Sequence, residues 1–144
     1  MQSRRIRDVI KNQTILVLPK DTTVREASRK MAESRVGSVM VVEKGELVGI
    51  FTERDALFRV LASGLDADAT HLGAVMTGNV VSIAPDHLLT HALHLMHDNG
   101  FRHVPVVEKG RPIGMISVRD ALGAELVSFE RQTEEKEALM EIVG

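Results

Sequence analysis

The chain repeats itself. Residues 21–57 overlay residues 86–122 at a constant offset of 65, and 14 of those 37 positions are identical, including Asp21/Asp86, Ala27/Ala92, Met31/Met96, Gly49/Gly114, Arg54/Arg119 and Asp55/Asp120. The run VVEKG recurs unchanged at 41–45 and 106–110. Two copies at this spacing do not make a solenoid; they predict one pseudo-twofold domain whose halves share a core. The 144 residues suit a single domain of ordinary size.

Each copy carries the same signals. A short β-branched stretch, 14–18 or 80–83, reads as a strand and is followed by Pro19 or Pro85 in a turn. A helix of about 12 residues comes next. In the first copy Thr23 is placed as N-cap with Glu26 completing a capping box, and Val24, Ala27, Ser28 and Met31 form the apolar stripe. In the second copy Leu89, Ala92, Leu93 and Met96 form the stripe, but Leu88 and His91 stand where the box would be, so a weaker start is expected. Strand pairs follow, 36–42 with 46–51 and 101–107 with 111–116, each turning through Glu-Lys-Gly. A second helix begins at Thr52 or Ser117. The order is β-α-β-β-α, twice, an α+β architecture. The expected divisions are repeat 1 with its lead-in at 6–64, a linker with a short helix at 65–79, repeat 2 at 80–129 and a C-terminal helical tail at 130–144.

Composition removes several function classes. There is no Cys, hence no disulfide, thiol nucleophile or Cys-ligated metal. No run approaches about 18 apolar residues, so no transmembrane helix is expected. The first residues contain no hydrophobic run of signal-peptide type, and a cytoplasmic protein is expected. A net charge of −2, with four Phe and neither Trp nor Tyr, offers nucleic acid neither a basic face nor a stacking platform. There is no Ser-His-Asp spacing, P-loop or His-Glu-x-x-His, so no enzyme is expected.

The second helix starts lie in GIFTERD (49–55) and GMISVRD (114–120), the pattern Gly, two apolar residues, Ser or Thr, two variable residues, Asp. Twice repeated within a β-α-β-β-α unit, this pattern resembles the CBS domain, named after cystathionine β-synthase. The stretches 18–31, 75–86 and 101–107 support the resemblance, which covers about residues 6–129. It implies that two repeats pack through their sheets into a Bateman module with two clefts. Such clefts commonly bind adenosine ligands: AMP, ADP, ATP, S-adenosylmethionine or NAD(H). It also implies a homodimer that regulates an effector protein.

The residues themselves fit a nucleotide cradle. Gly49 and Gly114 would let a ligand or another backbone come close. Thr52 and Ser117 sit at helix starts, where free N–H groups and the dipole favour a phosphate and a hydroxyl can bond its oxygen. Asp55 and Asp120, one turn in, can accept ribose hydroxyls. Arg54 and Arg119 can reach a phosphate. Thr-x-x-Asp and Ser-x-x-Asp are equally capping signatures that close a helix without a ligand. The two clefts are expected to differ, since Arg102-His103 replace Gly37-Ser38. The resemblance assigns basic residues at that position to phosphate. The cleft near Arg102, His103, Ser117, Arg119 and Asp120 is therefore expected to take the more highly phosphorylated ligand. Adenine is expected against 15–18 and 80–83. His87, His91 and His94 fall within about 60° on one helix face. No physiological metal site is expected there, since nothing evident would fix the rings.

Overall fold

The computed structural model describes residues 4–120. The expected C-terminal tail, and the apolar positions Leu122, Leu126 and Phe129 before it, lie outside the described residues.

Each half builds its own layer of strand and helix. In the first, β1 (Val17–Pro19) pairs parallel with β2 (Ser38–Glu43), which pairs antiparallel with β3 (Glu46–Thr52). The turn between β2 and β3 is the pair Lys44-Gly45, both at positive φ, 53° and 80°. This is a type I′ geometry, which matches strand twist and favours Gly at its second position. In the second half β4 (His103–Glu108) and β5 (Arg111–Ser117) repeat the hairpin, with Lys109 and Gly110 at 54° and 80°.

The helices follow their stripes. α1 (Ile6–Val9) is a single turn in the lead-in. α2 (Val24–Ser34) buries Val24, Ala27 and Met31. The Thr23 hydroxyl accepts the Glu26 N–H at 3.2 Å, which is half of the expected box; the Glu26 carboxylate turns to Lys30 instead, 3.9 Å away. α3 (Glu53–Asp55) runs on as a π-helical segment, Ala56–Leu61, which leaves Leu57, Phe58 and Leu61 exposed. α4 (Leu72–Val75) is the short linker helix. α5 (Leu89–Asn99) buries Leu89, Ala92 and Met96 and begins at Leu88 with no side-chain cap, the weaker start expected of it.

One expected strand is missing. Residues 80–83 form only a bridge at Ile83, whose N–H bonds the Pro105 carbonyl and whose own carbonyl accepts from Val107. The cause is Pro105. In the first half the N–H of Met40 bonds the Leu16 carbonyl at 3.0 Å. Pro105 occupies the equivalent place and has no N–H, so the ladder stops one bond short.

The halves exchange their lead-ins. By chain order α1 precedes the first repeat, yet Ile6 and Ile10 pack into the second core, with Ile83, Leu89, Val104, Val106 and Ile116. α4 packs into the first core through Leu72 and Val75, beside Leu18, Val24, Val39 and Phe51. The backbone repeats the exchange: Leu89 N–H bonds the Arg4 carbonyl and Val24 N–H the Thr70 carbonyl, so each lead-in caps the neighbouring helix. A third, smaller cluster of Met40, Ile50 and Met115 joins the two hairpins, which is the shared core expected of a duplicated unit.

Gly49 and Gly114 come close to protein rather than to a ligand. A Cβ on Gly114 would lie 2.7 Å from Ile10 Cγ2, and one on Gly49 would collide with Met76 Sδ. The glycines admit the lead-ins.

Candidate functional site

Both Ser/Thr-x-x-Asp motifs are closed on themselves. The Asp55 N–H donates to Thr52 Oγ1 (3.2 Å), while the Thr52 N–H and hydroxyl donate to Asp55 Oδ2 (2.9 and 3.1 Å). Asp120 and Ser117 repeat all three bonds at 3.1, 3.0 and 2.9 Å. The hydroxyl proton is thus committed to the carboxylate, and the expected hydroxyl donation to phosphate needs that bond broken. Each carboxylate keeps Oδ1 outside the cap. In the first motif Arg59 Nε lies 3.4 Å from Asp55 Oδ1. The residue 65 positions after Arg59 is Ala124, so the second motif has no arginine there. Among the described residues no side chain forms an ion pair with Asp120 Oδ1.

Two cavities hold the motifs. The larger, about 840 Å³, brings Ser117, Arg119, Asp120, Arg102 and His103 together with Ile15 and Leu16 from the opposite repeat. The smaller, about 710 Å³, brings Thr52, Arg54 and Asp55 together with Val80 and Val81. Each of these two cavities therefore combines the motif of one repeat with the first-strand segment of the other. Of the expected apolar slots, Ile15, Leu16, Val80 and Val81 line cavities, whereas Leu18 and Ile83 are buried in the cores.

Arg102 and His103, expected in the cleft of Asp120, reach the other cleft as well. They line both, because His103 opens the hairpin strand that runs between the two cavities. His103 is held below its ordinary value of 6.5, first by burial and then by Arg102, against the opposing pull of Glu53 and Asp120. Arg54 stacks on Phe58, its guanidinium carbon 5.2 Å from the ring centroid, at the apolar side of the smaller cavity.

Three contributors escape a reading of the sequence motif alone. Glu53 lines both cavities and stands over Gly37, where the second repeat has Val118 over Arg102. Arg35 lines the larger cavity from the end of α2. Gln13 lies on the floor of that cavity: its Nε2 donates to the Met115 carbonyl at 2.7 Å and its Oε1 accepts the Met115 N–H at 2.8 Å. In the first half the backbone of Thr77 makes the same pair of bonds to Ile50. The signals were the offset pairs Gly37/Arg102, Glu53/Val118 and Arg35/Gly100; Gln13 has none, because a side-chain amide there replaces a peptide group.

The larger cavity carries more positive charge. Arg35, Arg102 and Arg119 face Glu53 and Asp120 there, whereas Arg54 and Arg102 face Glu53 and Asp55 in the smaller one. His87, just before α5, and His91 on its exposed face have ring centroids 4.6 Å apart and planes tilted by 41°. Among the described residues no three His, Cys, Asp or Glu side chains are grouped to hold a metal ion. Among them too, no helix is long and apolar enough to cross a membrane.

Comparison with known proteins matches this architecture. The CBS domain family model fits residues 6–62 and 72–126. The chain is 37% identical over 125 residues to the CBS domain-containing protein CBSCBSPB3 of Arabidopsis thaliana, covering 86% of this chain and 22% of that protein. It is 37% identical over 109 residues to the mitochondrial CBS domain-containing protein CBSX3 of the same plant, covering 72% of this chain and 53% of that one. The chain thus spans about a fifth to a half of the length of these curated relatives. Among solved structures, a conserved protein from Pyrococcus horikoshii superposes with TM-score 0.77 at 30% identity, over 85% of this chain and 92% of that one. A CBS-domain-containing protein from Agrobacterium tumefaciens gives TM-score 0.74 at 30% identity, over 82% and 96%. The chain belongs to the CBS domain family, as a tandem pair of CBS repeats that build a Bateman module.

Proposed function

We propose that the protein is a regulatory module that binds an adenosine-containing nucleotide (AMP, ADP, ATP, NAD(H) or S-adenosylmethionine) between its repeats and passes occupancy to an effector protein. CBS pairs are modules of regulation and signal transduction. A single observation carries the finer reading. The 840 Å³ cavity joins an apolar slot at Ile15 and Leu16, a carboxylate with one oxygen left outside its cap, and a set of arginines. Those parts suit adenine, ribose and phosphate in turn. A CBS pair of the same fold, 22% identical, was solved with 5-methylthioadenosine and S-adenosyl-L-methionine, so the fold itself accommodates adenosine groups. Ser117, Arg119 and Asp120 are assigned to this cavity, Thr52, Arg54 and Asp55 to the second, and Arg102 and His103 to both. Neither cavity is assigned catalysis. A second copy in a homodimer would pack on the exposed Leu57, Phe58 and Leu61.

Binding to the folded state at 100 times Kd adds about 2.7 kcal/mol, which raises Tm by several degrees in a domain of this size. The test is a thermal-shift series with AMP, ATP, NAD and S-adenosylmethionine. Each variant, Asp55→Ala and Asp120→Ala, is compared with its own unliganded Tm, because losing the cap alone costs about 1 kcal/mol. Each variant should lose the share of one cavity. If both keep the full shift, the site is elsewhere.

A second reading has its own support, the complete closure of both motifs by internal bonds. On that reading the motifs only cap, and the module binds a protein without a small ligand. No shift with any adenosine compound would favour it.

A further inference from the structure

We infer that Arg35 is a phosphate-binding residue of the larger cavity, and that it makes that cavity prefer adenosine di- and triphosphates to the monophosphate. The inference rests on the nucleotide reading given above. It starts from backbone conformation. Arg35 ends α2 with φ 54° and ψ 42°, in the left-handed region. At the equivalent position α5 ends in Gly100, with φ 72° and ψ 24°. Glycine adopts this conformation without the Cβ penalty that every other residue pays. The duplicate therefore shows that glycine serves the turn, and a strained arginine stands there in the first half alone. Unlike Lys44 and Lys109, which recur together in matching hairpin turns, Arg35 departs from its glycine duplicate, and backbone strain of this kind is found clustered at ligand sites.

The side chain has a task within reach. Arg35 lines the same cavity as Arg102, Arg119 and His103, and its counterpart Gly100 lines the smaller one with no charge to offer. Arg7, Arg25 and Arg59 are all paired with carboxylates. Arg35 makes no ion pair with a described residue, so its forked donors remain for a ligand anion. The guanidinium adds a third arginine to one cavity only. That addition matters to a ligand in proportion to the phosphates it carries beyond the first.

An arginine at a helix C-terminus also interacts favourably with the helix dipole. The two roles separate by experiment. Calorimetric titration of the full chain with adenosine, AMP and ATP is compared for the unaltered protein, Arg35→Gly and Arg35→Lys. Arg35→Gly should bind ATP about tenfold more weakly, the loss of one charge-assisted contact, while adenosine binding is unchanged. Its unliganded Tm should be equal or higher, because glycine relieves the backbone. Arg35→Lys, which keeps the charge but not the fork, should fall between. Unchanged ATP affinity in Arg35→Gly, with a lowered Tm, would leave Arg35 as a helix-dipole partner and overturn the inference. If the unaltered protein binds none of the three, the nucleotide reading itself fails and takes this inference with it.

Discussion

Replacing Gln13 by alanine should destabilise the whole module, although Gln13 is only half-buried and lies outside both hairpins. Its amide makes two bonds to one peptide group of β5, at 2.7 and 2.8 Å. Met115 itself is 8% exposed, so the freed N–H and carbonyl gain little water in return. Each net bond is worth about 1 kcal/mol, giving about 2 kcal/mol for the pair. In a domain of this size that is about 7 °C in Tm. Gln13→Glu is the sharper probe. Its carboxylate still accepts the Met115 N–H but faces the Met115 carbonyl with no proton to donate. Folding then favours the protonated acid, so the folded-state pKa lies above the unfolded one. The contribution is present at low pH and lost as pH rises through the folded value. The Tm gap to the unaltered protein should therefore shrink between about pH 7 and about pH 4. The assay is thermal unfolding of the three proteins followed by circular dichroism at several pH values. A Gln13→Ala variant within 0.5 kcal/mol of the unaltered protein, the usual range for surface changes, would refute the reasoning. A Gln13→Glu gap that does not change with pH would show that the donor is not what matters.

The other expectations concern the cleft and the missing strand. His103, held below its ordinary value by burial, resists protonation in the folded state, so its unfolded form takes up a proton first and stability falls as pH drops below about 6.5. His103→Gln should lose less Tm than the unaltered protein between pH 7 and pH 5.5, and an equal loss would assign the acid sensitivity to other groups. Pro105→Met should restore the donor that the second half lacks. Hydrogen exchange should then find a protected amide at position 105, bonded to the Val81 carbonyl; a freely exchanging amide there would show that more than the missing N–H shortens the strand.

Much of the fold was legible because it depends on local chemistry. Lys44-Gly45 and Lys109-Gly110 announce tight turns, and both adopt positive φ. Thr23 announces a helix start, and its hydroxyl caps. Asp55, placed by spacing alone, sits in the first turn of α3, and Asp55 and Asp120 each line a cavity. What stayed hidden depends on contacts between distant segments. The lead-ins carry no mark of which core they enter, since Ile6 and Leu72 are simply apolar. Strand 80–83 reads correctly as β-branched, but its partner at position 105 decides whether it can pair. Arg102 and His103 were placed by their neighbours in sequence, and only the packing of the hairpins puts them between two cavities. The left-handed turn at Arg35 is invisible without its glycine duplicate, because arginine has no preference for that conformation.

The exchanged lead-ins have a consequence for how the molecule can be divided. A cut anywhere between residues 62 and 72 separates the chain at its obvious boundary, yet each fragment departs holding its neighbour's helix. The N-terminal piece lacks Leu72 and Val75 for its own interior and exposes Ile6 and Ile10 instead. Neither piece should fold alone, and unfolding of the described halves should be a single concerted event. A lone half could close its interior only by trading helices with an identical copy.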